Sequence, residues 1–162
     1  MDLKTLRQSD ETVMIFPGAA VAGDVALGPD CSVWFNAVIR GDGKPIALGR
    51  GCNVQDCAVL HSEKAPTVLG DYVSVGHGAI VHGAQVGDNT IIGMGAVLLD
   101  FAKVGRNCLV GAGAVVTGKL VAPDGALVLG NPARVVRALT EEEIAGLRRN
   151  GLHYAELKEM YR

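Results

Sequence analysis

The stretch that decides the fold is Leu69-Gly70-Asp71-Tyr72-Val73-Ser74, followed by Val75-Gly76-His77-Gly78-Ala79-Ile80. Both six-residue units open with an aliphatic residue, place glycine second and have a small residue in fifth position. A third unit, from Val81, is one residue short. On both sides of these units, further units open at Val21, Leu27, Val33, Ile39, Leu48, Val54, Leu60, Val86, Ile92, Leu98, Val104, Val110, Val116 and Val121. The chain therefore carries an internal repeat with a period of six residues.

A period of six fits neither the 3.6-residue turn of an α-helix nor the simple alternation of a long strand. It fits a short strand and a turn, in which the aliphatic opener and the small fifth residue point inward. Glycine in second position suits a corner with unusual backbone dihedral angles. Three units then close one triangular coil, and coils stack about 4.8 Å apart. The pattern predicts a mostly β fold, a parallel β-helix of hexapeptide repeats, whose hexads resemble the left-handed version.

The repeat divides the chain into three predicted segments. These are an N-terminal segment over residues 1–14, the β-helix over 15–135 and a C-terminal helical segment over 136–162. Thr140 and Glu143 form a capping-box pattern, so we expect a helix to begin there. Its apolar stripe predicts that it packs outside the β-helix, on its own subunit or on a neighbour. Asn150-Gly151 predicts a kink or a break in this helix.

The composition excludes several classes of partner. Fifteen basic and 17 acidic residues among 162 give a net charge of −2, which provides no electrostatic footprint for nucleic acid or an anionic membrane. The opening residues contain no apolar signal region, and no apolar stretch reaches the length of about 18 residues that a membrane span needs. The four cysteines lack CxxC spacing and are expected to be buried thiols, so the sequence predicts a cytoplasmic protein.

The coil register places side chains on three sides of the triangle, which we name a, b and c. Units three apart lie on the same side, and Val21 opens a unit on side a. Arg40, His61 and His82 each follow a side-a opener in successive coils. Because stacked coils lie only one strand spacing apart, these three residues should form a ladder on one outer face. His61 and His82 are then close enough for one ion to bridge them.

A third histidine, His77, lies two residues beyond a side-c opener, one coil on from Asp56. From side c it could hardly reach an ion on side a of its own chain, so we expect a second chain to supply it. A three-fold oligomer would complete three such sites. Three neutral imidazoles around an open fourth position are typical of catalytic zinc, which makes His61, His77 and His82 the predicted ligands. The alternative is that they are surface histidines, the interpretation that we favour for His153.

At these residues the chain resembles the γ-class carbonic anhydrases, a family of left-handed β-helix trimers. The resemblance covers residues 15–160 and is carried by Arg40-Gly41-Asp42, Asn53-Val54-Gln55-Asp56, His61, Gly76-His77 and His82-Gly83. It implies a homotrimer in which His61 and His82 of one subunit and His77 of the next bind Zn²⁺, or Fe²⁺ or Co²⁺. It also implies that Arg40, Asp42 and Asp56, with Asn53 nearby, bridge the interface and orient the histidines. Otherwise Arg40 and Asp42 are a solvated surface pair.

The resemblance implies a reaction in which metal-bound hydroxide attacks carbon dioxide to give bicarbonate, because a divalent ion lowers the pKa of its water toward about 7. Gln55 matches the glutamine that hydrogen-bonds this hydroxide, and Tyr154 resembles the family's tyrosine near the active site. The family's acidic loop for proton transfer is missing, so Glu63, in the short loop after His61, is the candidate shuttle. Activity could therefore be weak or absent. The alternatives are a CoA-dependent acyltransferase that uses a single histidine as base, and a non-catalytic assembly subunit.

Overall fold

The structure is a computed structural model that describes residues 11–162. Most of the predicted N-terminal segment, residues 1–10, lies outside the described residues. The first nine strands are β1 (Met14–Ile15), β2 (Ala20–Leu27), β3 (Ser32–Val33), β4 (Val38–Leu48), β5 (Asn53–Val54), β6 (Val59–His61), β7 (Thr67–Leu69), β8 (Ser74–Val75) and β9 (Ile80–His82). The others are β10 (Gln85–Val86), β11 (Ile91–Ile92), β12 (Val97–Leu98), β13 (Lys103–Val104), β14 (Leu109–Val110), β15 (Val115–Val116), β16 (Val121–Ala122), β17 (Ala126–Gly130) and β18 (Ala133–Ala138). They are followed by helix α1 (Glu141–Leu157) and a 3₁₀ helix (Lys158–Tyr161).

The strands form a parallel β-helix with three sides. Side c is one sheet in the order β1-β3-β5-β8-β11-β14-β17, and β18 adds to its end in the antiparallel direction. Sides a and b share a second sheet because β2 and β4 are long enough to continue from one side to the other. Side a continues through β6, β9, β12 and β15, and side b through β7, β10, β13 and β16. The predicted fold class, mostly β with coils of hexapeptide repeats and a C-terminal helix, is confirmed.

The interior is filled by the residues that open each unit and by the small residues in fifth position. Val33, Val54 and Val75 pair in register along side c and are completely buried. Ala37 and Ala58, in fifth position, are equally buried and leave room for the larger openers. Because burial of apolar surface stabilises a fold by about 25 cal/mol per Å², this stack of aliphatic side chains is the main source of stability.

One register assignment near the end of the repeat was wrong. Val121 was expected to open a unit, but its side chain is 68% exposed, whereas Ala122 is 3% exposed. Ala122 pairs with the buried opener Val104 of the preceding coil. The unit that begins at Val116 therefore keeps all six residues. The period, rather than the size of the aliphatic residue, decides which side chain points inward.

Glycine in second position has a different reason from the one expected. Gly93 does not adopt a left-handed backbone conformation, but a Cβ there would lie 2.6 Å from the carbonyl oxygen of Val110 in the next coil. The left-handed conformation occurs at the fourth position of the unit, as at Asn89 (φ 52°) and Gly95 (φ 65°). Second-position glycine therefore permits close stacking of coils, and the corner with unusual dihedral angles follows two residues later.

The cysteines confirm the expectation at three of four positions. Cys31, Cys52 and Cys108 occupy fifth positions and are buried in the interior. Cys57 is exposed, because it occupies the fourth position of its unit, where the left-handed corner (φ 59°) turns the side chain outward. The prediction of four buried thiols was therefore wrong for Cys57.

Helix α1 begins where the capping box was predicted. The Thr140 hydroxyl accepts a hydrogen bond from the Glu143 amide (3.2 Å), and the Glu143 carboxylate accepts one from the Thr140 amide (2.8 Å). The predicted break at Asn150-Gly151 is wrong, because the helix continues to Leu157. Gly151 is buried, and a Cβ there would lie 3.0 Å from atoms of Tyr72. This glycine allows the helix to lie close against a corner of the β-helix.

Helix α1 packs on side c of its own chain. Leu147 contacts Leu127 and Leu139 in a small apolar cluster, and the Asn150 amide donates to the Ser74 hydroxyl (2.8 Å). In residues 11–162, no helix is long and apolar enough to cross a membrane.

Candidate metal centre

His61 and His82 lie side by side on side a, as the register predicted. β4, β6 and β9 pair so that Arg40, His61 and His82 are aligned in successive coils. His61 Nδ1 lies 3.0 Å from His82 Nε2, and the two ring centroids are 4.9 Å apart. The side chains of His61 and His82 are 16% and 26% exposed, so both rings are partly accessible from solvent.

The outer nitrogen of each ring faces a carboxylate. His61 Nε2 donates to Asp42 Oδ1 (2.8 Å), and the other carboxylate oxygen of Asp42 accepts from Arg40. The hydrogen bond from His61, with help from Arg40, lowers the pKa of Asp42 below its ordinary value, so Asp42 remains an ionised acceptor. His82 Nδ1 lies 3.2 Å from Asp100 Oδ2.

This arrangement fits a divalent metal ion. An ionised carboxylate can only accept hydrogen bonds, so a neutral ring that donates to its carboxylate carries its proton on the outer nitrogen. The facing nitrogens, His61 Nδ1 and His82 Nε2, then both present lone pairs. Two nitrogens bound to one tetrahedral zinc at about 2.0–2.1 Å would be about 3.3 Å apart, which is close to the 3.0 Å seen here. Histidine ligands of metals commonly donate their other N–H to a carboxylate in this way.

His77 lies on a different side of the β-helix, at the start of the turn from side c to side a. Its Nδ1 is 2.8 Å from Asp56 Oδ2, and its side chain is 48% exposed. Within residues 11–162 of one chain, no three histidine, cysteine or acidic side chains come together as metal ligands. The structure thus brings each of the three predicted ligands to a carboxylate, but only His61 and His82 to each other.

Gln55 is held by a chain of hydrogen bonds that runs to helix α1. Its amide nitrogen donates to Asn53 Oδ1 (3.0 Å), and Asn53 Nδ2 donates to the Ser74 hydroxyl (2.8 Å). The same hydroxyl accepts from Asn150 of α1. Gln55, Asn53 and Ser74 are all buried, so this chain fixes the orientation of the Gln55 amide.

A cleft of about 410 Å³ lies beside His77. It is lined by Gln55, Met94, Asn150 and Tyr154 among others. Burial raises the pKa of the Tyr154 hydroxyl, and the charge of Asp56 adds to the effect. The phenol is therefore a neutral hydrogen-bond donor at physiological pH.

Glu63 is not brought to this cleft. It is exposed in the loop between β6 and β7, two residues after His61. Glu63 thus faces solvent and does not line the cleft that contains Gln55, His77 and Tyr154.

Sequence reasoning missed Asp100. The signal was available, because Leu98 opens the side-a unit one coil beyond Val81. Asp100 follows Leu98 by two residues and leans back to His82. The predicted ladder contains only the residue directly after each side-a opener, and Asp100 stands one position later.

Comparison with known proteins places the chain among hexapeptide-repeat proteins. Residues 83–118 match the family described as bacterial transferase hexapeptide (six repeats). The "Probable carbonic anhydrase" of Methanocaldococcus jannaschii is 51% identical over 92% of this chain and 94% of its own length. The mitochondrial gamma carbonic anhydrase 1 of Arabidopsis thaliana is 40% identical over 94% of this chain, which spans 58% of that protein. The crystal structure of a hexapeptide transferase family protein from Anaplasma phagocytophilum is 36% identical, with a TM-score of 0.90, over 94% of this chain and 91% of its own.

The coils and the paired histidines define a β-helix protein of the hexapeptide-repeat class. The Methanocaldococcus protein shares 51% identity over nearly the whole of both chains, and the chain belongs to the γ-class carbonic anhydrase family. The family predicted from the sequence motifs is confirmed.

Proposed function

We propose that this protein is a metal-dependent carbonic anhydrase that converts carbon dioxide and water to bicarbonate. The observation that carries the proposal is the His61–His82 pair, whose facing nitrogens are 3.0 Å apart and whose outer nitrogens each face a carboxylate. That arrangement presents two lone pairs to one cation. The names of its relatives supply the reaction.

The third ligand in this proposal is His77 of the partner subunit in a homotrimer. His77 supports it because the ring is half exposed and its Nδ1 already faces Asp56, which leaves Nε2 for an atom outside the chain. A closed three-fold ring repeats the same contact three times and gives three equal sites. Asp42 and Asp56 orient the histidines, Arg40 fixes Asp42, and Asn53 fixes Gln55 beside this contact.

Imidazole donors suit Zn²⁺, and also Fe²⁺ and Co²⁺. Bound at the three histidines, such an ion would lower the pKa of a water molecule toward about 7 and so provide hydroxide at neutral pH. Gln55 would hold the oxygen of that water by a hydrogen bond, because its amide is fixed through Asn53 and cannot rotate freely. Tyr154, a neutral phenol in the adjoining cleft, donates a hydrogen bond to the bicarbonate product.

Proton export limits turnover in this proposal, and the exposed Glu63, in the loop after His61, is the candidate shuttle. The buried cysteine thiols support a reducing compartment such as the cytoplasm, because Cys31 and Cys52 donate their S–H groups to backbone carbonyls (3.0 and 2.9 Å).

A second candidate is a CoA-dependent acyltransferase, which is favoured by the structural likeness to the Anaplasma transferase-family protein. That reaction needs one histidine as general base. It gives no role to a second histidine 3.0 Å away or to a separate carboxylate for each ring. For this reason we place the metalloenzyme first.

The test is hydration of carbon dioxide, followed by stopped flow on metal-loaded protein, with metal content measured on the same sample. We expect about one ion per chain and a rate well above that of metal-stripped protein. His77→Ala should lose both, whereas His153→Ala, which removes the exposed histidine of α1, should keep both. Acyl transfer from a CoA thioester without bound metal would contradict the proposal, and metal binding without hydration would favour an assembly subunit.

A further inference from the structure

Asp100 lies in a space that is built around its carboxylate. It sits on side a one coil beyond His82, and its side chain turns back so that Oδ2 lies 3.2 Å from His82 Nδ1. Its other oxygen, Oδ1, is buried and makes no hydrogen bond within the described residues. A buried carboxylate oxygen without a donor costs free energy, so the position needs a reason other than stability.

Two glycines, one in the coil before Asp100 and one in the coil after it, leave room for this residue. A Cβ at Gly83 would lie 2.1 Å from Asp100 Oδ1, and a Cβ at Gly118 would lie 2.1 Å from the Asp100 carbonyl oxygen. Gly83 directly follows His82 in the chain. The predicted metal ligand, His82, and the glycine that leaves space for the Asp100 carboxylate are therefore consecutive in the chain.

We propose that Asp100 is a positioning residue of the metal centre, which keeps the proton of His82 on Nδ1 and so directs the Nε2 lone pair at His61. Asp42 does the same for the His61 ring and Asp56 faces the ring of His77, so Asp100 completes a set of one carboxylate for each histidine. Without Asp100, His82 is free to carry its proton on Nε2, where it would block a cation. The benefit to metal binding rests on the proposed function, whereas the position of the proton is a property of the chain alone.

The first test is the tautomer of His82 in metal-free protein, read by nitrogen-15 NMR of the imidazole rings above neutral pH, where imidazoles are uncharged. In the wild type we expect the proton on Nδ1. In Asp100→Asn, which keeps the size of the side chain, we expect a mixture or the Nε2 form. A wild-type His82 that carries its proton on Nε2 would overturn the inference and needs no variant.

The second test is zinc affinity, measured by competition with a chelator. Loss of a carboxylate that orients a histidine ligand typically weakens metal binding by about 10- to 100-fold, and we expect this for Asp100→Asn. Gly83→Ala should weaken zinc as well, because its Cβ displaces the Asp100 carboxylate. Gly125→Ala is the matched control, since both glycines have a left-handed φ (61° and 70°) but a Cβ at Gly125 meets only Ile144, at 3.7 Å.

The outcomes separate this inference from the proposed function. If the wild type binds no zinc, the metalloenzyme proposal fails, whereas the tautomer measurement still decides the role of Asp100. If zinc binds and Asp100→Asn changes neither its affinity nor the His82 tautomer, the positioning role is wrong. Equal weakening in Gly83→Ala and Gly125→Ala would mean that backbone strain, and not displacement of Asp100, is responsible, and would also count against the inference.

Discussion

At the scale of single residues, the centre depends on the pairing of imidazoles with carboxylates. Asp42 accepts from His61 with one oxygen and from Arg40 with the other, so the rotamers of all three side chains are linked. The pKa of Asp42 is lowered mainly by the hydrogen bond from His61. The pH must therefore fall further than usual before this carboxylate is protonated.

Proton transfer gives a prediction at this scale. Glu63 is exposed in the loop after His61 and is the proposed carrier of protons to solvent. Glu63→Gln should lower the rate of carbon dioxide hydration in weak buffer, and a high concentration of imidazole should restore it, because buffer then replaces the lost carboxylate. Metal content should not change. An equal loss of rate at both buffer concentrations would remove Glu63 from the mechanism.

The ladder of Arg40, His61 and His82 could be predicted from the sequence because a fixed period determines which residues stack. The contact of Asp100 with His82 could not be predicted so directly, since it depends on a side chain that leans back across one coil. The orientation of each ring also needed the structure, because it depends on hydrogen bonds and not on register.

At the scale of elements, the start of α1 is fixed by charge as well as by its cap. Both oxygens of Glu143 bind the Arg137 guanidinium (2.7 and 2.8 Å), and Glu143 also accepts from the Thr140 amide. Chiefly through Arg137, these contacts lower the pKa of Glu143 from 4.5 to about 2. The charged form therefore contributes stability above about pH 4.5, and this contribution is lost as the pH falls toward 2.

Glu143→Gln tests this pH dependence, because glutamine can still close the capping box but cannot form the ion pair. We expect the melting temperature of the variant to lie below that of the wild type at neutral pH. The difference should shrink as pH falls from about 4.5 toward 2. Glu142→Gln, one residue away in the same turn, removes the same charge without the contact to Arg137 and is the control. A difference that stays constant with pH would contradict the account.

For helix α1, the sequence predicted the start of the helix but not its continuity. Its beginning follows from local chemistry at Thr140 and Glu143, and this was predicted correctly. Its continuity through Gly151 depends on packing against Tyr72, which lies far away in sequence, so the local weakness of glycine misled the prediction. The same limit applies to Val121 and Ala122, where residue type and period disagreed and the period was decisive.

At the scale of the whole molecule, the C-terminus returns to the first coil. Phe16 stacks on Trp34 with ring centroids 4.4 Å apart, and Tyr161 packs edge-on against Trp34 at 5.6 Å. Lys158 is almost completely buried beside them, donates to the carbonyl oxygen of Thr12 and lies 3.6 Å from Asp30. The last helix thus joins the two ends of the described chain.

Lys158→Met should measure how much this closure contributes. The substitution keeps an apolar stem of similar length but removes the donor to Thr12, and we expect a loss of about 1–3 kcal/mol. That corresponds to a fall in melting temperature of several degrees, about 2–4 °C for each kcal/mol in a chain of this size. Lys44→Met, at an exposed position, is the control and should have little effect. An unchanged melting temperature for Lys158→Met would show that the buried amine does not hold the two ends together.

The measurement that tests the central claim most directly is complementation between two inactive variants. His77→Ala keeps His61 and His82 but not the third ligand, and His82→Ala keeps His77, so neither pure trimer has a complete site. If the variants are unfolded, mixed and refolded, each mixed trimer should contain one interface at which His61 and His82 of one variant meet His77 of the other. With random mixing, about a quarter of the wild-type metal per chain should return, and hydration activity with it. Mixed trimers that form, as shown by separating a charge-tagged variant, but recover no metal would contradict the shared site.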